Sequence, residues 1–296
     1  MTILPQLIVN SIIAGAIYTL VAIGFNLIYG TVKFFDLGYG ALMAVGGYAA
    51  FLFHKKLGLD LALSITLAVL LTGAIGWLIN QLVYKKLRAR RASNMVLLVA
   101  SLGVFTLLQA LLAIFFSSQF QTLSTNAAGG RVFEIFGPTT WLGAGAVITQ
   151  VQLIILLSGL AIMGALALLL KRTLFGKAIK AVADDEEVAK VVGIDTAKII
   201  GGVFFIGAMI AGLAGILVGF DTGIEPTMGL SLLLKGVIAS IIGGIGNVYG
   251  GVLGAFLLGF VENFGIWQIS GEWKDAIAFG LLIIFLLFRP QGIIRK

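Results

Sequence analysis

Three sets of ionisable residues stand out from an apolar background. The first is the stretch ADDEEVAKVVG, residues 183–193, where Asp184, Asp185, Glu186 and Glu187 are four of the chain's 13 carboxylates. Asp184 can cap a new turn, acids suit a helix N-terminus and Gly193 suits the residue past its end. With Ile179, Val182 and Ala183, then Val188, Val191 and Val192, at helical spacing, the segment predicts one amphipathic helix or two short ones outside the bilayer. The second is a pair of isolated acids, Asp36 in YGTVKFFDLGYG and Glu225 in DTGIEPTMG, each four residues before a glycine (Gly40 and Gly229). A carboxylate at membrane depth costs about 2.5–3.5 kcal/mol on insertion scales and needs a partner: a lysine, a cationic solute group, or a bound proton or Na⁺. The third set is Lys33, Lys235 and Glu262, candidates for intramembrane charge pairs. Catalysis is not legible. There is no G-x-x-x-x-G-K-[ST] phosphate cradle, no cysteine, and one histidine, His54, beside Lys55 and Lys56 with no second ligand at metal spacing.

The elements that carry these residues are membrane spans. Hydrophobic residues make up 59% of the 296, charged residues 11% and glycines 40, against about 25% charged residues in a soluble domain. Apolar runs at about 7–29, 34–53, 61–83, 95–116, 151–170, 199–220, 230–246, 248–268 and 275–288 predict a single all-α polytopic domain of about eight or nine transmembrane or broken helices. Most of the 20 cations fall in alternate connections, including 84–94 and 171–198. By the positive-inside rule this places the N-terminus outside and the C-terminus in the cytoplasm. The net charge of +7 therefore reports topology and gives no reason to expect nucleic acid.

The connection 117–150 is then external, with Val132–Phe136 as a candidate strand, and 171–198 is cytoplasmic. The interruptions at Asp36 and Glu225 fall in opposite halves of the chain. Paired interruptions of this kind point to a transporter site at a repeat interface, so a possible internal repeat is expected. Asp36, Tyr39, Glu225 and Phe35 are the candidate substrate pathway; the bland alternative puts the two acids at the water interface or in structural pairs with lysines. Gly215/Gly219 and Gly250/Gly254 form G-x-x-x-G pairs, suited to helix packing within the chain or between subunits.

GKAIKAVADDEEVAKVVGID, residues 176–195, resembles the cytoplasmic EAA-type loop of ABC importer permeases. GAIYTLVAIGFNLIYG (15–30), GVIASIIGGIGNVYGGVLGAFLLGFVE (236–262) and WKDAIAFGLLIIFLLFRPQGI (273–293) resemble branched-chain amino-acid permeases of the LivH type. The resemblance implies a permease subunit of an ATP-driven importer, working by alternating access in a bacterial-type inner membrane. It pairs with a second permease, identical or homologous. Two cytoplasmic ATPases bind ATP and Mg, and an extracytoplasmic solute-binding protein delivers substrate. The subunit itself is not an enzyme and holds no cofactor. Ala183, Ala189, Gly193 and Ile194 match the loop that docks on the ATPase, with the four acids beside them. Where the family reads approximately Asn-Phe-Ala-His-Gly, this chain has Asp36-Leu37-Gly38-Tyr39-Gly40, and Glu225-Pro226 stands for Asn-Pro. Branched-chain or hydrophobic amino acids come first as solutes, and the added acids keep a cationic or amide-like solute open. The rivals are an ion-coupled secondary transporter using the two carboxylates and a passive channel. A solvated linker helix is the plain alternative for 183–193.

Overall fold

A computed structural model describes residues 4–116, 119–123, 132–134, 146–289 and 291–294. The chain is overwhelmingly helical. Helix α1 runs over Leu4–Val32, α2 over Gly38–Phe51 with a π turn at Leu52–Lys56, and α3 over Leu61–Ile79. A second π turn, Asn80–Tyr84, joins α3 to α4, Lys85–Ala89. Then follow α5 (Asn94–Phe116), α6 (Gln150–Arg172), α7 (Leu174–Asp184), α8 (Glu186–Val191), α9 (Thr196–Asp221), α10 (Met228–Gly243), α11 (Val248–Gln268) and α12 (Lys274–Phe288). Six stretches among the described residues are long and apolar enough to cross a bilayer: α1, Leu61–Ala89, α5, α6, α9 and α11. Each of the nine runs expected from hydropathy contains a helix, although 34–37 and 244–246 are not helical. Three of them, α2, α10 and α12, have 14, 16 and 15 residues. At about 1.5 Å per residue each falls short of the roughly 30 Å hydrocarbon core.

Proline and polar caps set the helix limits. Pro5 lies in the first turn of α1, where its missing N–H is harmless, and Pro226 lies in the break before α10. The caps are Asp60 for α3, Thr149 for α6 through a reciprocal capping box with Gln152, and Asn247 for α11.

Helices α1 and α9 form the centre. Their most apolar windows are 67% and 72% buried, against 22–28% for α3 with α4, α5 and α6. Water does not drive helices together inside lipid; close packing does, and small residues permit it. Gly46 of α2 meets Gly212 of α9, Gly215 meets the Met43 carbonyl, and Gly254 of α11 meets the Ala239 carbonyl of α10. The G-x-x-x-G pairs thus serve contacts within the chain, which leaves them no part as a surface for subunit pairing.

The departure from an all-α reading is a small antiparallel ribbon. Val132 pairs with Thr149, Phe133 with Ile148 and Glu134 with Val147. The strand expected at Val132–Phe136 is present over Val132–Glu134. Its last two residues, and most of the 117–150 connection, lie outside the described residues.

Chain direction orders the bundle. Gln6 near the start of α1 bonds Val147 beside the start of α6, and Gln152 in the first turn of α6 reaches Asp221 at the end of α9. Helices α1 and α6 therefore run one way and α9 the other. The break at residues 33–37 lies at one end of the bundle, and the break at 222–227 lies at the other.

Candidate functional site

The two breaks lead inward to one crossing. Helix α2 starts at Gly38 and α10 at Met228, and they touch at Gly40 and Gly229. A Cβ on Gly40 would sit 2.8 Å from the Gly229 carbonyl oxygen, and a Cβ on Gly229 would collide with the Gly40 carbonyl. The glycines of the two acid-x-x-x-glycine stretches meet, while their acids do not share a site.

Asp36 is buried in the α1–α2 turn. One oxygen, Oδ1, accepts from the Gly38 amide at 2.9 Å and from the Tyr84 hydroxyl at 2.6 Å. Tyr84 reaches it because the π turn swings the end of α3 inward, and Phe34 and Phe204 pack on its ring at centroid distances of 5.0 and 5.3 Å. The Ser101 hydroxyl of α5 completes the turn, accepting from the Leu37 amide and donating to the Phe35 carbonyl. Tyr39 is fully buried and donates to the Val21 carbonyl at 3.3 Å, which fixes α2 to α1. Phe35 sits edge-on to Phe25 at 5.2 Å and lines a cavity of about 350 Å³ together with Tyr29, Lys33 and Met95. Glu225 is exposed and lines a separate cavity of about 320 Å³ with Ser231, Lys235 and Asp275; Asp36 is not on its wall.

Lys235 and Glu262 come together, as expected of a charge pair. Glu262 is fully buried in α11 and accepts the Tyr18 hydroxyl proton at 2.5 Å. Lys235 of α10 lies 3.5 Å from Glu262 and 3.2 Å from Asp275, and Lys274 lies 3.7 Å from Glu262. Lys33 stands apart from this cluster, past the end of α1, with a positive φ of 58°.

The 171–198 connection is two helices at the end of the bundle where α6 finishes and α9 begins. Asp184 ends α7. Asp185 has an extended backbone and caps α8, its Oδ1 accepting from the amides of Glu187 and Val188 at 2.8 and 3.0 Å. Glu186 pairs with Lys190 at 2.7 Å and with Arg88 of α4 at 3.9 Å, while Glu187 is exposed. Gly193, with φ of 91°, closes α8; its amide bonds the Lys190 carbonyl and the Ile194 amide bonds the Ala189 carbonyl. The apolar pattern divides between the helices. Ile179, Val182 and Ala189 are buried against the bundle and Ala183 is half-buried. Val188, Val191 and Val192 are 57%, 88% and 75% exposed. Asp195 caps α9, and the Lys198 ammonium holds its carboxyl below the usual carboxylate range. That cap is fully present above the ordinary carboxylate pKa and is lost as pH falls through the lower folded value.

Tyr18, Tyr84, Arg88, Lys274 and Asp275, the partners of these charged groups, are not marked by the sequence. A signal existed for the tyrosines: a carboxylate in an apolar bundle needs O–H or N–H donors, and only 6 tyrosines are available to supply them. Among the described residues no three His, Asp or Glu side chains group as a metal site requires.

The model of the family "Branched-chain amino acid transport system / permease component" matches residues 7–286. The chain is 33% identical to the high-affinity branched-chain amino acid transport system permease protein BraD of Pseudomonas aeruginosa, over 98% of this chain and 95% of BraD. It is 30% identical to the corresponding permease protein LivH of Salmonella typhimurium over the same shares. LivM, a second permease protein of the same organism and named for the same transport system, is 26% identical over 94% of this chain and 68% of LivM. No solved structure matches. With a family match spanning nearly every helix and six stretches able to cross a bilayer, the chain is a multi-pass membrane protein and belongs to the permease components of branched-chain amino acid transport systems.

Proposed function

We propose that the chain is the membrane-spanning subunit of an ATP-driven importer of aliphatic amino acids. It lies in a bacterial-type inner membrane with the N-terminus outside. It pairs with a second permease and receives solute from an extracytoplasmic binding protein. Two cytoplasmic ATPases carrying ATP and Mg dock on the 171–198 connection. The observation that carries this reading is the divided apolar pattern of α7 and α8. A helix of six residues, capped at both ends and tied to Arg88, holds three valines outside the bundle, where its own core does not cover them. An apolar ridge rimmed by charge is a helix-in-groove docking element.

Asp36 and Tyr39 take a positioning role in this proposal, holding the start of α2 against α1 and α3. Glu225 and Phe35 line cavities and stay as pathway residues. The ion-coupled carrier is not favoured: Asp36 already has two donors within the chain, and the family match is to permease components of transport systems.

The test is gentle co-purification from native membranes. A P-loop ATPase should accompany the chain and be lost when Val188 and Val191 are both changed to Asp. A chain that purifies with nothing able to bind ATP sinks the importer reading.

A further inference from the structure

A cavity of about 380 Å³ lies between α1, the end of α9, α10 and α11. That volume is in the range of small-molecule sites, about 300–1,000 Å³. Its walls hold both signs of charge and an apolar surface. Lys235, Lys274 and Asp221 line it, with Ile13, Ile17 and Val218.

The charges have capacity left over. Lys235 is already engaged by Glu262, Asp275 and the Tyr18 hydroxyl, so the spare donors belong to Lys274, which shares the buried carboxylate of Glu262. Oε2 of that carboxylate accepts from Tyr18 and Oε1 makes no hydrogen bond. The ammonium of Lys274 carries three donors, and a 3.7 Å ion pair occupies one at most. Asp221 has one neutral contact, from the Gln152 amide at 3.5 Å, which leaves most of its lone pairs open. A simple anion would match the lysines and be repelled by Asp221; a simple cation would be repelled by the lysines. A small zwitterion satisfies both, and an aliphatic side chain suits the apolar wall.

We infer that this cavity binds an aliphatic α-amino acid. Lys274 takes its carboxylate beside the positive charge of Lys235, Asp221 takes its ammonium group, and Ile13, Ile17 and Val218 face its side chain. The inference deepens the importer reading and rests on it, but moves the solute away from Asp36 to the end of the bundle where α1 begins. Glu262 stands behind the cavity wall and holds Lys235 there, while Tyr18, which lines the cavity, donates to Glu262 and accepts from Lys235.

The test uses the full chain in phosphatidylcholine nanodiscs, titrated with L-leucine and with two truncated analogues, 4-methylpentanoate and 3-methylbutylamine, by saturation-transfer NMR. Leucine should bind saturably and each analogue about tenfold more weakly or worse. Asp221→Asn should erase the preference over 4-methylpentanoate, and Lys274→Gln the preference over the amine. Ala14→Phe fills the cavity from its α1 wall and should abolish leucine binding while leaving the melting temperature in place. Analogues binding as well as leucine, leucine binding untouched by Ala14→Phe, or no saturation by about 10 mM would each overturn the inference. Co-purification of the ATPase, scored on the same membranes, separates the two failures. An ATPase present without leucine binding defeats the cavity alone, and its absence defeats the importer.

Discussion

A tyrosine hydroxyl is the donor that each buried carboxylate of this chain depends on: Tyr84 for Asp36, Tyr18 for Glu262. A hydrogen bond to a charged group contributes about 1.5–3 kcal/mol, and a buried acceptor left unsatisfied costs more than an apolar pair would. Tyr84→Phe should therefore destabilise the protein by about 2 kcal/mol, and adding Asp36→Asn should recover part of that loss. Thermal unfolding in detergent reads both; no loss in Tyr84→Phe would mean that Tyr84 acts through its ring packing on Phe34 and Phe204 alone, and additive losses that its hydroxyl acts independently of Asp36. Lys235→Met should cost about 3–5 kcal/mol, since it leaves Glu262 with Lys274, at the longer distance, as its one cation beside the Tyr18 hydroxyl, and Glu262→Gln should rescue it. The sequence marks Asp36, Lys235 and Glu262 as out of place in an apolar bundle, but not their partners. Tyr18 and Glu262 are 244 residues apart and Asp36 and Tyr84 48 apart, and no local spacing joins them.

Apolar runs made every long helix readable, because in lipid a backbone must satisfy itself within the segment. What could not be read is where a run stops short. Residues 34–53 look like one crossing, yet residues 33–37 are turn and α2 begins at Gly38, since Asp36 offers its oxygen to the Gly38 amide and breaks the ladder. The valine pattern of 183–193 was equally ambiguous. Ile179 and Val182 share a spacing with Val188 and Val191, but Asp185 ends the first helix and rotates the second, so one pair is buried and the other exposed. Helix α8 then depends on its two ends. Asp185→Ala should remove a cap contributing about 1 kcal/mol. Gly193→Val would force a β-branched residue to a φ of 91° and should weaken α8 further. Hydrogen exchange should show faster amides at Glu187–Val191 in both variants, with α9 unchanged. Protection that persists would mean packing on the bundle, through Ala189, holds α8 without its caps.

The valine ridge and the buried crossing of α2 with α10 are joined by one short path. Glu186 of α8 reaches Arg88 of α4; Tyr84, just before α4 on the π turn, holds Asp36; and Asp36 holds the amide that begins α2. A displacement of α8 by a docked partner would reach the start of α2 through four side chains and one helical turn. Helix α2 meets α10 at two glycine backbones, with no side chain between them to absorb the motion. Coupling carried this way differs from docking, since the ridge can bind while the link is cut. Arg88→Ala keeps the valines, the Asp185 cap and the Glu186–Lys190 pair, and removes the ion pair to Glu186 together with Arg88's own contact to Asn80. In a reconstituted transporter this variant should hydrolyse ATP near the normal rate while moving several-fold less solute per ATP. Parallel loss of hydrolysis and uptake would place Arg88 in the docking surface instead. Full uptake at normal hydrolysis would show that the stroke travels through α1, α6 or α9, the helices against which α7 and α8 pack.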